Sequence, residues 1–177
     1  MILMKSEQMD QEDFMRLPTF LAFSALLIAP GAHADDIVYS DAATAQCLAK
    51  ASSVDAGEKC IGLSTEECIN ANDFGQTSAG MVSCTASETA FWDKQLNAIY
   101  ENVMKQAKKL DEGVSGSSIA EALLVMERDW IKYRDARCAF VESQTQGGTM
   151  GKTLAAGCRQ QTTADQALFL KYAMIAE

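Results

Sequence analysis

The sequence predicts an all-α protein: a small helical bundle with two long antiparallel helices plus shorter helices, stapled by disulfides. Three observations carry this. Two long stretches repeat apolar residues at steps of three and four, the period of a helix with one buried face. No segment alternates apolar and polar residues in the manner of a half-buried strand. Six cysteines, an even number, all lie downstream of a leader-like segment, which reads as a disulfide framework in an oxidising compartment.

The leader comes first in the chain. Residues 17–29 form an apolar run, short of the roughly 20 residues that a spanning helix needs. Pro30-Gly31-Ala32-His33-Ala34 follows, and Ala-His-Ala is a small-x-small cleavage site. Residues 1–34 are therefore expected to be a signal peptide. Glu7, Asp10, Glu12 and Asp13 outweigh Lys5 at the extreme N-terminus, whereas Met15-Arg16 would restore a positive start, so residues 1–14 are read as a mis-assigned start. The rival reading of this region is a buried N-terminal helix. The mature chain is expected to be periplasmic or secreted, with no membrane span. It is organised as a cysteine-containing segment of short helices over residues 35–76 and a long-helix domain over 77–177, the two forming one compact domain.

The mature elements then follow in order. Ser40 or Asp41 caps a short helix that runs through Ala51 and carries Cys47. Residues 52–59, polar and containing Gly57, read as a loop. Ser64 and Glu67 have the capping-box spacing and open a helix bearing Cys68, which Asn72 to Gly75 closes. From Thr77 to Leu110 the residues Trp92, Leu96, Ile99, Val103, Ala107 and Leu110 mark the first long helix. After a short loop at residues 111–116, Ser118 and Glu121 open the second. This second helix, residues 117–140, carries Ile119, Leu123, Met126, Trp130, Tyr133 and Arg137 on one stripe, and is expected to be the element around which the bundle is organised. Residues 144–151, with three glycines among the last five positions, read as a flexible polar loop. A last helical region, broken at Gly157, begins its final part near Thr162 or Thr163 with Ala164, Ala167, Leu168, Leu170, Ala173 and Met174 on its apolar face.

Charge and composition exclude several classes of function. The chain carries 15 basic and 24 acidic residues; the leader holds two and four of these, leaving 13 and 20 and a net charge of −7. An acidic domain is poorly suited to nucleic acid and better suited to a basic protein partner. The single histidine, His33, lies in the leader, so the mature chain lacks histidine acid/base chemistry and histidine metal ligation. No cofactor or metal site is expected, and the scattered methionines read as core filling. Cys138 with Cys158 is the favoured disulfide, closing a loop of about twenty residues at roughly 3 kcal/mol in the chain-entropy treatment. Cys68 with Cys84 and Cys47 with Cys60 are the sequential pairings favoured for the others.

Two motifs carry a resemblance. Trp92-Asp93-Lys94-Gln95-Leu96-Asn97-Ala98-Ile99-Tyr100 and Trp130-Ile131-Lys132-Tyr133-Arg134-Asp135-Ala136-Arg137-Cys138 resemble the LprI-like lysozyme-inhibitor family of bacterial exported proteins. That pattern has a Leu-Asn-x-x-Tyr helix and a Trp-x-x-Tyr/Phe-Arg-Asp-x-x-Cys helix, followed by a glycine-containing loop, a second cysteine and a terminal helix. The likeness spans about Cys84 to Met174. Where the family usually has Thr-x-x-Arg-Ala, this chain reads Thr163-Ala164-Asp165-Gln166-Ala167. The resemblance implies a helical fold and a protein that inhibits a lysozyme.

Most motif residues read as structural. Trp92, Leu96, Trp130 and Tyr133 suit the core, and Asn97 and Tyr100 suit interhelical hydrogen bonds. Arg134 and Asp135 suit a buried ion pair with Glu88 or Asp93. Glu88, Asp93, Glu127, Asp129 and Asp135 include no pair that the sequence selects for hydrolysis, so no catalytic residue is assigned. Thr145, Gln146, Gly147, Gly148, Thr149 and Lys152 form the candidate partner-binding loop. The function expected is that of an exported helical binding protein, not an enzyme, that occludes the cleft of a lysozyme or related cell-wall hydrolase. The alternatives are an envelope interaction module with another protein partner and, more remotely, a carboxylate-dependent hydrolase.

Overall fold

The computed structural model describes residues 37–113 and 115–173. The expected leader and start site lie outside those residues, as does Met174. Six helices follow in order: α1 (Ala42–Leu48), α2 (Val54–Glu58), α3 (Leu63–Ala71), α4 (Ser78–Asp111), α5 (Ile119–Ser143) and α6 (Thr149–Ala173), with no strand among the described residues. The molecule is thus a disulfide-stapled all-α bundle with long helices and shorter ones.

The hub is α6, not α5. Ala155, Ala156, Thr162, Thr163, Ala164, Ala167, Leu168 and Leu170 are all buried, spread around the helix because α2, α4 and α5 all pack on it. Its many small side chains let those neighbours approach closely, and a helix apolar around most of its circumference must be central. Both α4 and α5 pack more extensively on α6 than on each other. Trp92, Leu96 and Val103 of α4, Leu123 of α5 and Leu168 and Leu170 of α6 belong to one core.

The expected stripe of α5 is correct as a period and in part of its phase: Leu123, Met126 and Trp130 pack on the core. Ile119 and Arg137 are exposed, and Tyr133 is 56% exposed. The face turned inward runs Leu123, Glu127, half-buried Trp130, Arg134 and Cys138, because α5 is clamped to α6 by Cys138–Cys158. Helix α6 also runs unbroken through Gly157 and starts at Thr149, so residues 149–152 are its first turn and not loop. A Cβ at Gly151 would strike Thr145 Oγ1 and lie 2.8 Å from the Glu142 carbonyl oxygen. The glycine is there for a tight fit, not for flexibility.

The N-terminal segment departs further from expectation. Helix α1 ends at Leu48 instead of Ala51. The expected loop at 52–59 contains α2, whose first turn is capped by Ser53 Oγ accepting from the Ala56 N–H. The Ser64–Glu67 capping box does not form. Ser64 lies inside α3, its hydroxyl accepting from Thr44 N while Thr44 Oγ1 accepts from Ser64 N, both at 3.1 Å. Gly62 is the N-cap, in a left-handed backbone at φ 92° that favours glycine.

Capping of α3 instead comes from a distant residue. Glu88 of α4, fully buried, accepts from Gly62 N at 2.7 Å, Thr65 N at 2.6 Å and Trp92 Nε1 at 3.1 Å. A carboxylate at a helix N-terminus satisfies orphan amides and opposes the positive end of the dipole. Cys68–Cys84 ties α3 to α4, and the turn between them folds tightly on Gly80, where a Cβ would strike the Phe74 carbonyl oxygen. Beside this cluster, burial first and then the charges of Glu88 and Asp41 push the Tyr39 phenol up to about 12. Gln160 Nε2 donates to Thr65 Oγ1 at 2.8 Å and Tyr172 Oη to the Ala51 carbonyl at 2.8 Å, tying α6 to the same segment. Cys47–Cys60 joins α1 to the turn after α2.

The starts of α4 and α5 match expectation closely. Thr77 caps α4, its side chain accepting from Gly80 N, and Ser118 caps α5 by accepting from Glu121 N. Asp111, at the end of α4, accepts from Ser118 Oγ, Ile119 N and Ala120 N at 2.7, 2.8 and 3.0 Å. The amides of Ala120 and Ile119, then the Ser118 hydroxyl, hold its carboxyl below the usual range.

Candidate functional site

A groove of about 270 Å³ lies between α4 and α5. Asp93, Leu96, Asn97 and Tyr100 line it from α4; Leu124, Glu127, Arg128, Trp130, Ile131 and Arg134 line it from α5. Each set recurs at helical spacing, so two regular helices suffice to bring the two sequence motifs face to face.

Arg134 organises one wall. Its Nη1 lies 3.7 Å from Asp93 Oδ1, and its Nε and Nη2 each lie 3.0 Å from Asp135 Oδ1. The guanidinium stands 5.1 Å from the centre of the Trp130 ring, a cation–π contact. The carboxylates are about half exposed, so solvent screening leaves this network worth under about 1 kcal/mol. Its effect is to fix the Arg134 head and cover one face of Trp130. The expected pairing of Arg134 with α4 therefore falls on Asp93, because Glu88 is committed to α3.

Glu127 is the deep polar group of the groove, 9% exposed. One oxygen accepts from Gln166 Nε2 of α6, and among the described residues it makes no ion pair. Burial raises its carboxyl above the ordinary value, against the smaller lowering effect of the Gln166 hydrogen bond. A second groove of about 380 Å³ lies beyond, lined by Val82, Ala86, Asp93, Glu142, Lys152 and Arg159 among others. Asp93 lines both, so the grooves meet at its side chain.

The structure brings together Leu96, Asn97, Tyr100, Trp130 and Arg134. It places Trp92 elsewhere, in the core beneath Glu88, and leaves Tyr133 on the outside of α5. Asp135 reaches the site only through Arg134. Thr145, Gln146, Gly147 and Gly148 form the turn after α5, with Gln146 and Gly147 at φ 50° and 89°; Thr149 and Lys152 begin α6. Sequence reasoning did not select Glu127 from the other carboxylates. The signal was available: counting back from Cys138 in steps of four, four, three and four reaches Arg134, Trp130, Glu127 and Leu123.

The fold and groove define the class: a disulfide-stapled helical bundle that gathers two helical motifs along one interhelical groove. The chain belongs to the lysozyme inhibitor LprI family, whose family model matches residues 68–170. The match reaches further back than the motifs alone, taking in α3 from Cys68 onward. Among curated proteins, the chain is 27% identical over 137 residues to an uncharacterised 17.7 kDa protein in the puhA 5′ region of Rhodobacter capsulatus, covering 73% of this chain and 83% of that one. It is 29% identical over 96 residues to an uncharacterised protein of Rhizobium meliloti (strain 1021), covering 51% of this chain and 69% of that one. No solved structure matches it. The family is one of inhibitors rather than enzymes.

Proposed function

We propose that this chain is an exported protein that binds a lysozyme or a related cell-wall hydrolase and blocks its cleft, performing no chemistry itself. The observation that carries the reading is the family match over residues 68–170, which spans both motifs that meet in the α4/α5 groove. Three disulfides suit an oxidising compartment. A net charge of −7 once residues 1–34 are removed, 13 basic against 20 acidic residues, speeds encounter with a basic enzyme. The contact surface is the groove together with the turn at Thr145, Gln146, Gly147 and Gly148 and the start of α6 at Thr149 and Lys152.

The test is a turbidity assay of cell-wall lysis by several lysozyme classes, with the purified oxidised protein added in micromolar excess. Inhibition that is lost on reduction is the expected result. Undiminished lysis with every class overturns the reading, and capture of a different envelope protein would then favour an interaction module. Export is checked by fractionation and thiol alkylation: the protein should be periplasmic or secreted and resist alkylation until reduced.

A further inference from the structure

We propose that the α4/α5 groove receives a single lysine or arginine side chain from a basic protein partner, with Glu127 as its counter-ion. This rests on the inhibitor reading above and names what that partner would present.

Four observations point to a cation. Glu127 is 9% exposed, yet receives one hydrogen bond from the protein and has no ion pair among the described residues. A buried carboxylate in that condition gains most from an incoming opposite charge. Asp93 stands at the junction with the neighbouring groove, its side chain 49% exposed, and adds a second negative charge. Leu96, Leu124 and Trp130 offer apolar wall for the methylene stem of a long cationic side chain. The volume, about 270 Å³, lies below the usual range of small-molecule pockets and suits one inserted side chain.

The two cations in the lining do not complete Glu127. Arg134 is committed to Asp135 at 3.0 Å and leans toward Asp93. Arg128 is exposed and makes no ion pair among the described residues. Gln166, the one residue bonded to Glu127 from α6, is neutral. Arg128 gives the test its opposite arm, because an anionic guest would depend on it.

The experiment uses the full oxidised protein, its Glu127→Gln and Arg128→Ala variants, and two readouts. The first is calorimetric affinity for a basic lysozyme. Glu127→Gln should weaken binding roughly thirtyfold, the loss expected when one partner of a buried charge pair is removed, while Arg128→Ala, which takes a like charge out of the same lining, should bind a cationic side chain about twofold more tightly. The second is titration of the protein with butylguanidinium, followed by the indole N–H resonances of the two tryptophans. Trp130 should shift while Trp92, buried beneath Glu88, should not, and Glu127→Gln should abolish the shift. Lysozyme bound equally well by Glu127→Gln overturns the assignment of the groove and leaves the inhibitor reading intact. Weaker binding by Arg128→Ala overturns it in favour of an anionic guest. If no lysozyme is bound but Trp130 still responds in a Glu127-dependent way, the inhibitor reading fails and the cation site stands. A Trp130 that does not respond overturns the site.

Discussion

Glu88 and Glu127 are both removed from water on the long helices, yet Glu88 receives three N–H donors and Glu127 one. Glu88 sits at the N-terminus of α3, where backbone amides and an indole close around it, and its charge is used up in holding α3 against α4. Glu127 lines a groove that another molecule can enter, with one oxygen bonded to Gln166. The difference separates a carboxylate that builds the fold from one that the fold leaves unfinished. Such a polar group is where binding energy is available, because a guest can pair with it without breaking a hydrogen bond of the fold.

The largest expected effect tests the Glu88 half. Glu88→Ala strands the Gly62 and Thr65 amides and the Trp92 indole, each left without its acceptor at about 1–3 kcal/mol. A loss on the order of 4 kcal/mol is expected, lowering Tm by roughly 10 °C. Thermal unfolding by circular dichroism measures it, and a shift no larger than that of an exposed-residue variant would remove the distinction. Gly80→Ala comes next. It pushes the turn at Phe74 and Gly75, which leads from α3 into α4, off the start of α4, with an expected cost of about 2 kcal/mol. If it is neutral, the tight turn on Gly80 is not required for Glu88 to reach α3.

What was legible in the sequence follows the same division between local and distant causes. Helices α4 and α5 start one residue after Thr77 and Ser118, their own capping residues, and local signals of that kind are written in the chain. The start of α3 was misplaced because its cap is Glu88, more than twenty positions away. Helix α2 is indistinguishable from loop in the sequence because five residues are too few to show a period. The glycines near residue 150 were read as flexibility, whereas Gly151 answers a packing demand that only the three-dimensional contact with Thr145 reveals. In α5 the period identified the helix but two registers competed for the inside. Leu123, Met126 and Trp130 lie inside, but beyond them the expected stripe runs on to exposed Tyr133 and Arg137, whereas the inner face runs through Arg134 to Cys138, which is bridged to Cys158. That choice of phase is what carried Glu127 inward, so the central residue of the candidate site was hidden by the same ambiguity.

The smallest expected change in stability is at Glu127, and its sign sharpens the comparison most. Its carboxyl is raised in the folded chain, so its contribution is fully present below the unfolded pKa and is lost as pH rises through the folded one. Glu127→Gln keeps an acceptor for Gln166 and removes the buried charge. The variant should therefore be more stable than the parent at neutral pH, by under about 1 kcal/mol given screening by solvent in the groove, and indistinguishable from it in acid. Asp111 supplies the opposite sign, since its carboxyl is lowered and its contribution disappears as pH falls through the folded value. Asp111→Asn should be less stable at neutral pH, with the difference shrinking in acid. Denaturant titrations of both variants between pH 3 and 8, a span on the order of the carboxylate range and beyond, measure the two slopes. A Glu127→Gln chain that is more stable yet binds its partner less well would place that residue where activity is kept at the expense of stability. A Glu127→Gln chain destabilised at neutral pH would instead put Glu127 beside Glu88, as a second carboxylate whose charge the fold itself requires.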